Sequence, residues 1–368
     1  MGCYYLILCT IILLGLLKIS KVQTINFNYD KVILPIISFI LFLFAALRNI
    51  SVGADTRQYT IIYQLAGEEK WENLWNSNAS YLWFKLSDIE IGYKFINKAI
   101  YTFFRNPQTI TVFNSFVLIL VLFLLIKKYS NDWWLSVFLY FALGFYQLAL
   151  NLTPSAIASL IVLCGVDNIQ KRDFLKYLIY VAMGTIFHYS AIIFLIAYPV
   201  CILKLNKRRF WLLLGLSFFI ITIFYTTIVR LISPLVPKQY QMYLVTKERN
   251  EALFVYLVQL ILIVFCLIIN KDNQIYSKYS LYLWLFLLES VSYFISIHST
   301  GFTRVAFLFS PITVILIPNL ISDKLYIKKK FVIELHRLIV VLYSFFAYIF
   351  RVQINNIGTT IPYLFFWQ

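Results

Sequence analysis

Long apolar runs alternate with short polar clusters along the chain. The runs fall near residues 3 to 17, 32 to 47, 109 to 126, 133 to 150, 154 to 169, 177 to 203, 210 to 232, 252 to 269, 280 to 297, 303 to 321 and 331 to 350. Several approach or exceed the roughly 20 residues a helix needs to cross the hydrocarbon core, and the ten-residue alternation of a membrane barrel is absent. The pattern predicts an all-α, polytopic integral membrane protein. The run 177 to 203 is bracketed by Lys171, Arg172 and Lys176 on one side and by Lys204, Lys207, Arg208 and Arg209 on the other. Short basic clusters favour the cytoplasm, and a single crossing would separate these two. That run is therefore expected to be a hairpin of two short helices breaking near Phe187-His188-Tyr189, which brings the crossings to about twelve.

With that break, Lys18, Lys21, Lys31, Lys127, Lys128, Lys271, Lys278, Lys324 and Lys328 to Lys330 fall inside, and both termini fall outside. Arg48, Asp55, His188 and Arg304 then share the outer face. The outer loop 48–108 mixes Trp71, Trp75, Tyr81, Trp83 and Phe84 with Glu68, Glu69, Lys70, Glu72 and Asp88, which suits a segment lying at the headgroup level. Internal repeats and low-complexity tracts are not evident, so residues 1–368 are expected to form a single membrane domain.

Composition sharpens this picture. Of the 368 residues 61% are hydrophobic and 13% charged, about half the charged share of a soluble domain. The formal charge of +16 sits in short clusters between apolar runs rather than on one face, so it reads as a topology signal and nucleic acid is not an expected partner. Cys3, Cys9, Cys164, Cys201 and Cys266 lie in or beside apolar runs without C-x-x-C spacing, which fits packing rather than zinc or a disulfide framework. There is no D-x-D, H-E-x-x-H, G-x-S-x-G or phosphate-binding loop, so neither a metal nor another cofactor is expected.

The candidate chemistry begins at Arg48-Asn49-Ile50-Ser51-Val52-Gly53-Ala54-Asp55-Thr56-Arg57-Gln58-Tyr59, directly after an apolar run. An arginine, a turn-forming glycine and an aspartate put fixed opposite charges at the mouth of a span. Asp55 reads either as a helix cap completed by Gln58 or as a carboxylate that holds Arg48 and a substrate hydroxyl. Arg48 reads either as an interface anchor or as a substrate-binding cation. Glu90-Ile91-Gly92-Tyr93 offers a second carboxylate, with a solvated face as the plainer account. His188 lies inside an apolar run, where an ionisable group needs a partner; a structural histidine and a proton-transferring one are both open. Asn151-Leu152-Thr153-Pro154 and Ser299-Thr300-Gly301-Phe302-Thr303-Arg304 resemble helix starts, whose free N–H groups suit phosphate.

Taken together, Arg48…Val52-Gly53-Ala54-Asp55…Tyr59, Glu90-Ile91-Gly92-Tyr93, His188-Tyr189-Ser190-Ala191, Arg304-Val305-Ala306 and Ile361-Pro362-Tyr363 resemble the EpsG family of bacterial polysaccharide polymerases, relatives of the Wzy O-antigen and capsule polymerases. One departure stands at Pro154, where family members often carry the arginine of an Arg-Gln pair. The resemblance implies a metal-independent, GT-C-like glycosyltransferase in the bacterial cytoplasmic (inner) membrane, with its active site facing outward. Its substrate would be an undecaprenyl-pyrophosphate-linked oligosaccharide; the lipid bilayer and a chain-length regulator are further candidate partners. His188, Asp55 and Glu90 compete for the acceptor-base role, with His188 favoured. Arg48, Gly53, Tyr59, Gly92 and Arg304 are expected to bind substrate. A flippase for the same lipid-linked sugars is the alternative from another class, followed by a membrane acyltransferase or a ligase to lipid A.

Overall fold

The computed structural model describes residues 2–19, 29–81, 84–235, 241, 251–269, 273–299, 301–323 and 330–368. Of the expected features, Lys21, Trp83, Lys271, Thr300, Lys324, Lys328 and Lys329 lie outside the described residues. Helices carry the fold. Among the described residues the only strands are Ser80–Tyr81 and Phe84–Lys85, paired antiparallel. Among the described residues four helices are long and apolar enough to cross a membrane: Gln108–Tyr129, Lys207–Leu231, Gly301–Ile321 and Phe331–Ile354, the last two containing short irregular turns. The bent pair Trp133–Ala142 and Phe145–Asn151 raises the number to five, and further apolar helices are shorter.

The chain divides into two compact units. The first comprises Met1–Cys164, Ala182–Tyr189 and Val341–Gln368. Here the helix Tyr29–Ala46 packs on Gln108–Tyr129, which packs in turn on Thr153–Cys164. The helix Gly2–Ile19 joins through Trp134, whose indole N–H donates to the Ile11 carbonyl at 2.7 Å. The apolar run 133 to 150 is not one straight span. It bends by 60° between Ala142 and Phe145, where Gly144 takes φ +76°, a left-handed conformation that glycine adopts without steric cost.

The stretch 48–108 is more than a polar connection. Its helices Thr56–Glu68 and Ile91–Phe103 close over Ile62, Ala66, Leu74, Leu86 and Tyr93. Ile62 and Ala66 sit four residues apart, which puts both on one helix face. Lys98 ties the two helices by donating to the Gly67 carbonyl at 2.8 Å and to the Glu69 carbonyl. Trp71, Trp75 and Tyr81 remain exposed.

The chain's C-terminal part completes this unit. After the π-helical turn Ile349–Ile354, the backbone at Asn356, Gly358 and Thr359 turns left-handed. It then lies against the 47–54 segment: Phe366 N–H donates to Leu47 O at 2.8 Å, Asn49 N–H to Leu364 O at 2.9 Å, and Gly53 N–H to Thr359 O at 3.0 Å.

The second unit comprises Gly165–Val181 and Ser190–Val340. The helix Ser280–Ser296 is its centre, packed by Gly301–Phe309, Lys207–Ile232, Ala197–Cys201 and Glu251–Ile269. Buried polar groups meet inside it: Ser310 donates to Glu289 Oε1 and Thr313 to Gln259 Oε1, at 2.7 and 2.8 Å. The apolar run 177 to 203 is interrupted at His188, as its sequence predicts: the helix Phe174–Phe187 stops there and a 3-10 turn, Tyr189–Ile196, follows.

A Cβ at Gly144 would sit 3.2 Å from Ile357 Cγ2, in a conformation that L-residues rarely adopt. Gly144→Ala should therefore destabilise the first unit by about 1–3 kcal/mol, read as a lower thermal midpoint in detergent. An unchanged midpoint would show that the bend does not depend on this residue.

Candidate functional site

Glu90 precedes the helix Ile91–Phe103 and has extended backbone, φ −53° and ψ 132°. Its carboxylate does not cap that helix. Instead Oε1 lies 2.5 Å from His188 Nδ1 and accepts the Tyr189 backbone N–H at 3.2 Å. Gly92 explains how the two segments come so close: a Cβ there would stand 2.6 Å from Ile186 Cγ2 and 3.0 Å from the Ile186 backbone. The Glu90-Ile91-Gly92 sequence thus combines a carboxylate with the small residue that lets it reach the histidine. The Glu90 and His188 side chains are 8% and 20% exposed, so the pair is sheltered while the imidazole keeps some access. Burial alone would raise the Glu90 pKa. The hydrogen bond and charge of His188, with the Tyr189 N–H, outweigh it and leave the carboxyl below its ordinary value.

An ionised Glu90 accepts from Nδ1–H of the imidazole, which leaves the lone pair on Nε2. The sequence set Glu90 and His188 in competition for one role; the structure makes them partners.

Further contacts gather around the helix Ile91–Phe103. Tyr93, one turn into the same helix, accepts from Asn114 Nδ2 at 2.8 Å, and Tyr59 packs edge-on against it with ring centroids 6.4 Å apart. The Tyr59 hydroxyl donates to the Asn151 carbonyl at 3.0 Å, while Asn151 Oδ1 accepts the Asp55 backbone N–H at 2.8 Å. Asp55 occupies the N-cap position of Thr56–Glu68, yet its side chain makes no capping bond, so the expected capping box does not form. Gly53, at φ +93°, lets this segment press onto the break after Phe145–Asn151: its Cβ would lie 3.2 Å from Leu150 O.

Arg48 is 1% exposed and does not snorkel to an interface. Its guanidinium donates to the Ala45 carbonyl, to Ser115 Oγ at 3.0 Å, to Leu150 O at 3.3 Å and to Thr153 Oγ1 at 3.4 Å, while its buried Nε has no hydrogen-bond partner. None of these partners is a carboxylate. The expected hold of Asp55 on Arg48 is not among the guanidinium's contacts, although only seven positions separate them in the chain: the Asp55 backbone N–H donates to Asn151 Oδ1, and the Arg48 guanidinium reaches the helix ends. Thr153 does begin a helix, Thr153–Cys164, and its hydroxyl both accepts from Arg48 and donates to Leu150 O at 2.9 Å. Arg304 belongs to the second unit, where it is exposed on the helix Gly301–Phe309.

Two residues of the first unit escaped the sequence reading. Arg351 is 1% exposed, with its guanidinium carbon 5.8 Å from the centre of the Phe145 ring. Gln147 is fully buried on Phe145–Asn151, and neither its amide nitrogen nor its amide oxygen has a hydrogen-bond partner. The signal for Arg351 was the one that found Arg48, an arginine beside the end of an apolar run. Gln147 was an amide inside one.

The family model described as the EpsG family matches residues 31–365, nearly the whole chain. No curated protein and no solved structure matches it. The chain belongs to the EpsG family, which supports a polysaccharide polymerase-type function in a multi-pass membrane protein.

The depressed Glu90 carboxyl gives a signed pH dependence. Because its folded pKa lies below the unfolded one, the stability it contributes is fully present above the ordinary value of 4.5 and is lost as pH falls through the depressed value. The thermal midpoint of wild type should therefore exceed that of Glu90→Gln above about pH 5, with the gap closing as pH drops toward 3. A gap independent of pH would show that the carboxylate contributes no charge to the pair.

Proposed function

We propose that this EpsG-family chain is a glycosyltransferase that joins undecaprenyl-pyrophosphate-linked oligosaccharide repeats at the outer face of the bacterial cytoplasmic membrane, for O-antigen, capsule or exopolysaccharide synthesis. The observation that carries the reading is the carboxylate of Glu90 on His188 Nδ1, which orients an imidazole for proton transfer in a chain of this family. About twelve crossings, a GT-C-like arrangement of one membrane domain and chemistry without a metal belong to the same reading.

The step balances as follows. The acceptor sugar hydroxyl attacks the anomeric carbon of the donor's reducing-end sugar, and a new glycosidic C–O bond forms as the bond to the pyrophosphate breaks. His188 Nε2 takes the hydroxyl proton, and Glu90 stabilises the imidazolium that results. The electron pair of the broken bond leaves on the pyrophosphate, whose charge needs fixed cations. Arg48 supplies one close to the break at Leu150-Thr153. Asp55 and Tyr59, tied to Asn151, position the acceptor sugar.

A flippase for the same lipid is the second reading, favoured by the span broken at Gly144, since transporters place substrate at interrupted helices. A deletion strain separates the two. Surface glycan reduced from a long ladder to a single repeat marks a polymerase, whereas loss of all repeats from the surface marks a flippase.

Purified His188→Ala should lose about 10²–10⁴ in turnover while retaining donor binding, and Glu90→Gln added to it should cost little more, because the two act as one unit. Near-normal turnover in His188→Ala would remove the imidazole from the mechanism. Arg48→Lys should be severely impaired as well, because an ammonium cannot reproduce the guanidinium's fork of contacts. For the orientation, Asn78→Cys should react with an impermeant thiol reagent in intact cells and Asn273→Cys should not, both in a cysteine-free background. Equal labelling would sink the outward assignment.

A further inference from the structure

The short helix Phe145–Asn151 lies between two buried arginines. At its end, Arg48 Nη2 donates to Leu150 O at 3.3 Å and to Thr153 Oγ1 at 3.4 Å. At its start, Arg351 stands over the Phe145 ring, and a Cβ at Gly144 would be 3.7 Å from its guanidinium carbon. Gly144 and Leu150 are six residues apart, roughly 9 Å along a helix. Between them sits Gln147, three residues from each. The chain's C-terminal part packs alongside, with a Cβ at Gly358 placed 2.6 Å from the Gln147 carbonyl.

We propose that Arg351 and Gln147 complete, with Arg48, an oxyanion cradle along the broken helix Phe145–Asn151 that takes the diphosphate of the lipid-linked donor. The inference rests on the polymerase reading and adds to it two binding residues and a location. Three observations converge on it.

First, Arg48 is buried with four neutral oxygen partners and an unpartnered Nε, so an anion is the ligand that would complete its surroundings. Second, the Gln147 amide is fully buried and neither of its polar atoms meets a partner, a costly arrangement unless a ligand uses it. A primary amide suits a glycosyl diphosphate in particular, because its nitrogen donates to a phosphate oxygen while its oxygen accepts from the adjoining sugar hydroxyl. Third, the Phe145 ring holds the Arg351 guanidinium, which preorganises a planar donor fork at the other end of the helix. Access requires the C-terminal part to move away from Phe145–Asn151, and the irregular backbone at Asn356, Gly358 and Thr359 is where that part departs from helix.

A carboxylate on an acidic sugar shares this anion chemistry, so the experiment separates the two sources. Full-length protein in nanodiscs is titrated with glycan-free undecaprenyl diphosphate, and separately with glucuronic acid, for wild type, Arg351→Gln, Arg351→Lys and Gln147→Leu. The cradle requires affinity for the diphosphate to fall about tenfold or more in Arg351→Gln and Gln147→Leu. Arg351→Lys should fall between wild type and Arg351→Gln. Gln147→Leu also tests the plainer account, because replacing an unsatisfied amide with an apolar side chain should preserve or raise the thermal midpoint. A stable Gln147→Leu protein with wild-type affinity for the diphosphate overturns the proposal. Saturable glucuronic acid binding that both variants abolish, with diphosphate affinity unchanged, also overturns it, in favour of a site for the glycan. Should Arg351→Gln fail to fold, Arg351→Lys and Gln147→Leu decide. A deletion strain with an unaltered glycan ladder would refute the polymerase reading while leaving the diphosphate titration as evidence on the cradle itself.

Discussion

A guanidinium buried where an apolar helix ends must be satisfied by the protein around it, and the first unit is arranged to meet that demand at Arg48. Leaving a charge unsolvated costs several kcal/mol even after relaxation. Here the cost is offset by oxygens drawn from three places: Ala45 at the end of its own helix, Ser115 on the neighbouring span, and the break at Leu150-Thr153. The Arg48 backbone is held too, by a bridge to Phe365 and by the Gln108 amide donating to its carbonyl at 3.2 Å. Every one of these partners is neutral. The arrangement fixes the cation without cancelling its charge, which is what the proposed site for a departing pyrophosphate requires and what a structural ion pair would have removed.

The same economy appears at Glu90 and His188, where the charges are paired. The carboxylate binds one imidazole nitrogen and a backbone N–H, so the imidazole has one orientation and one tautomer when Glu90 is ionised. Gly92 is as necessary to this as the carboxylate, because Ile186 lies where a larger side chain would stand. The buried cation and the carboxylate–imidazole pair therefore draw on different structural devices. Arg48 depends on helix ends within the first unit, and the pair depends on close packing between the helix Ile91–Phe103 and the end of Phe174–Phe187.

Much of this was legible in the chain, for a definite reason. Arginine and histidine next to or inside apolar runs are conspicuous, since the surrounding composition gives them no solvent. The interruption at His188 followed from basic clusters on both sides of one run. The partnerships were less legible. Glu90 and His188 meet across 98 positions, and no periodicity encodes such a contact. Proximity in sequence misled at Asp55, whose backbone turns to Asn151 rather than its side chain to Arg48. The bend at Gly144 was hidden because the run 133 to 150 has the hydropathy of an ordinary span, and the small core under 48–108 was hidden by its charged surface. Arg351 lies one residue past an apolar run, as Arg48 does, but no glycine or carboxylate follows it closely enough to mark the position as Gly53 and Asp55 mark Arg48.

The aromatic composition makes sense in the same terms. Irregular backbone in apolar surroundings exposes carbonyls that water cannot reach, and each needs a donor from the protein. Tyrosine hydroxyls supply several of them: Tyr363 donates to Phe44 O at 2.6 Å, Tyr59 to Asn151 O at 3.0 Å and Tyr4 to Thr360 O at 3.3 Å. A phenol is well suited to this, because it brings one donor on a large apolar body and adds no charge. Lysine or arginine in those positions would satisfy the same carbonyls and raise the local potential. Tyrosine leaves the electrostatics of the first unit's interior to the few residues that carry charge there, and so lets the helices break beside Arg48 without diluting the effect of its cation.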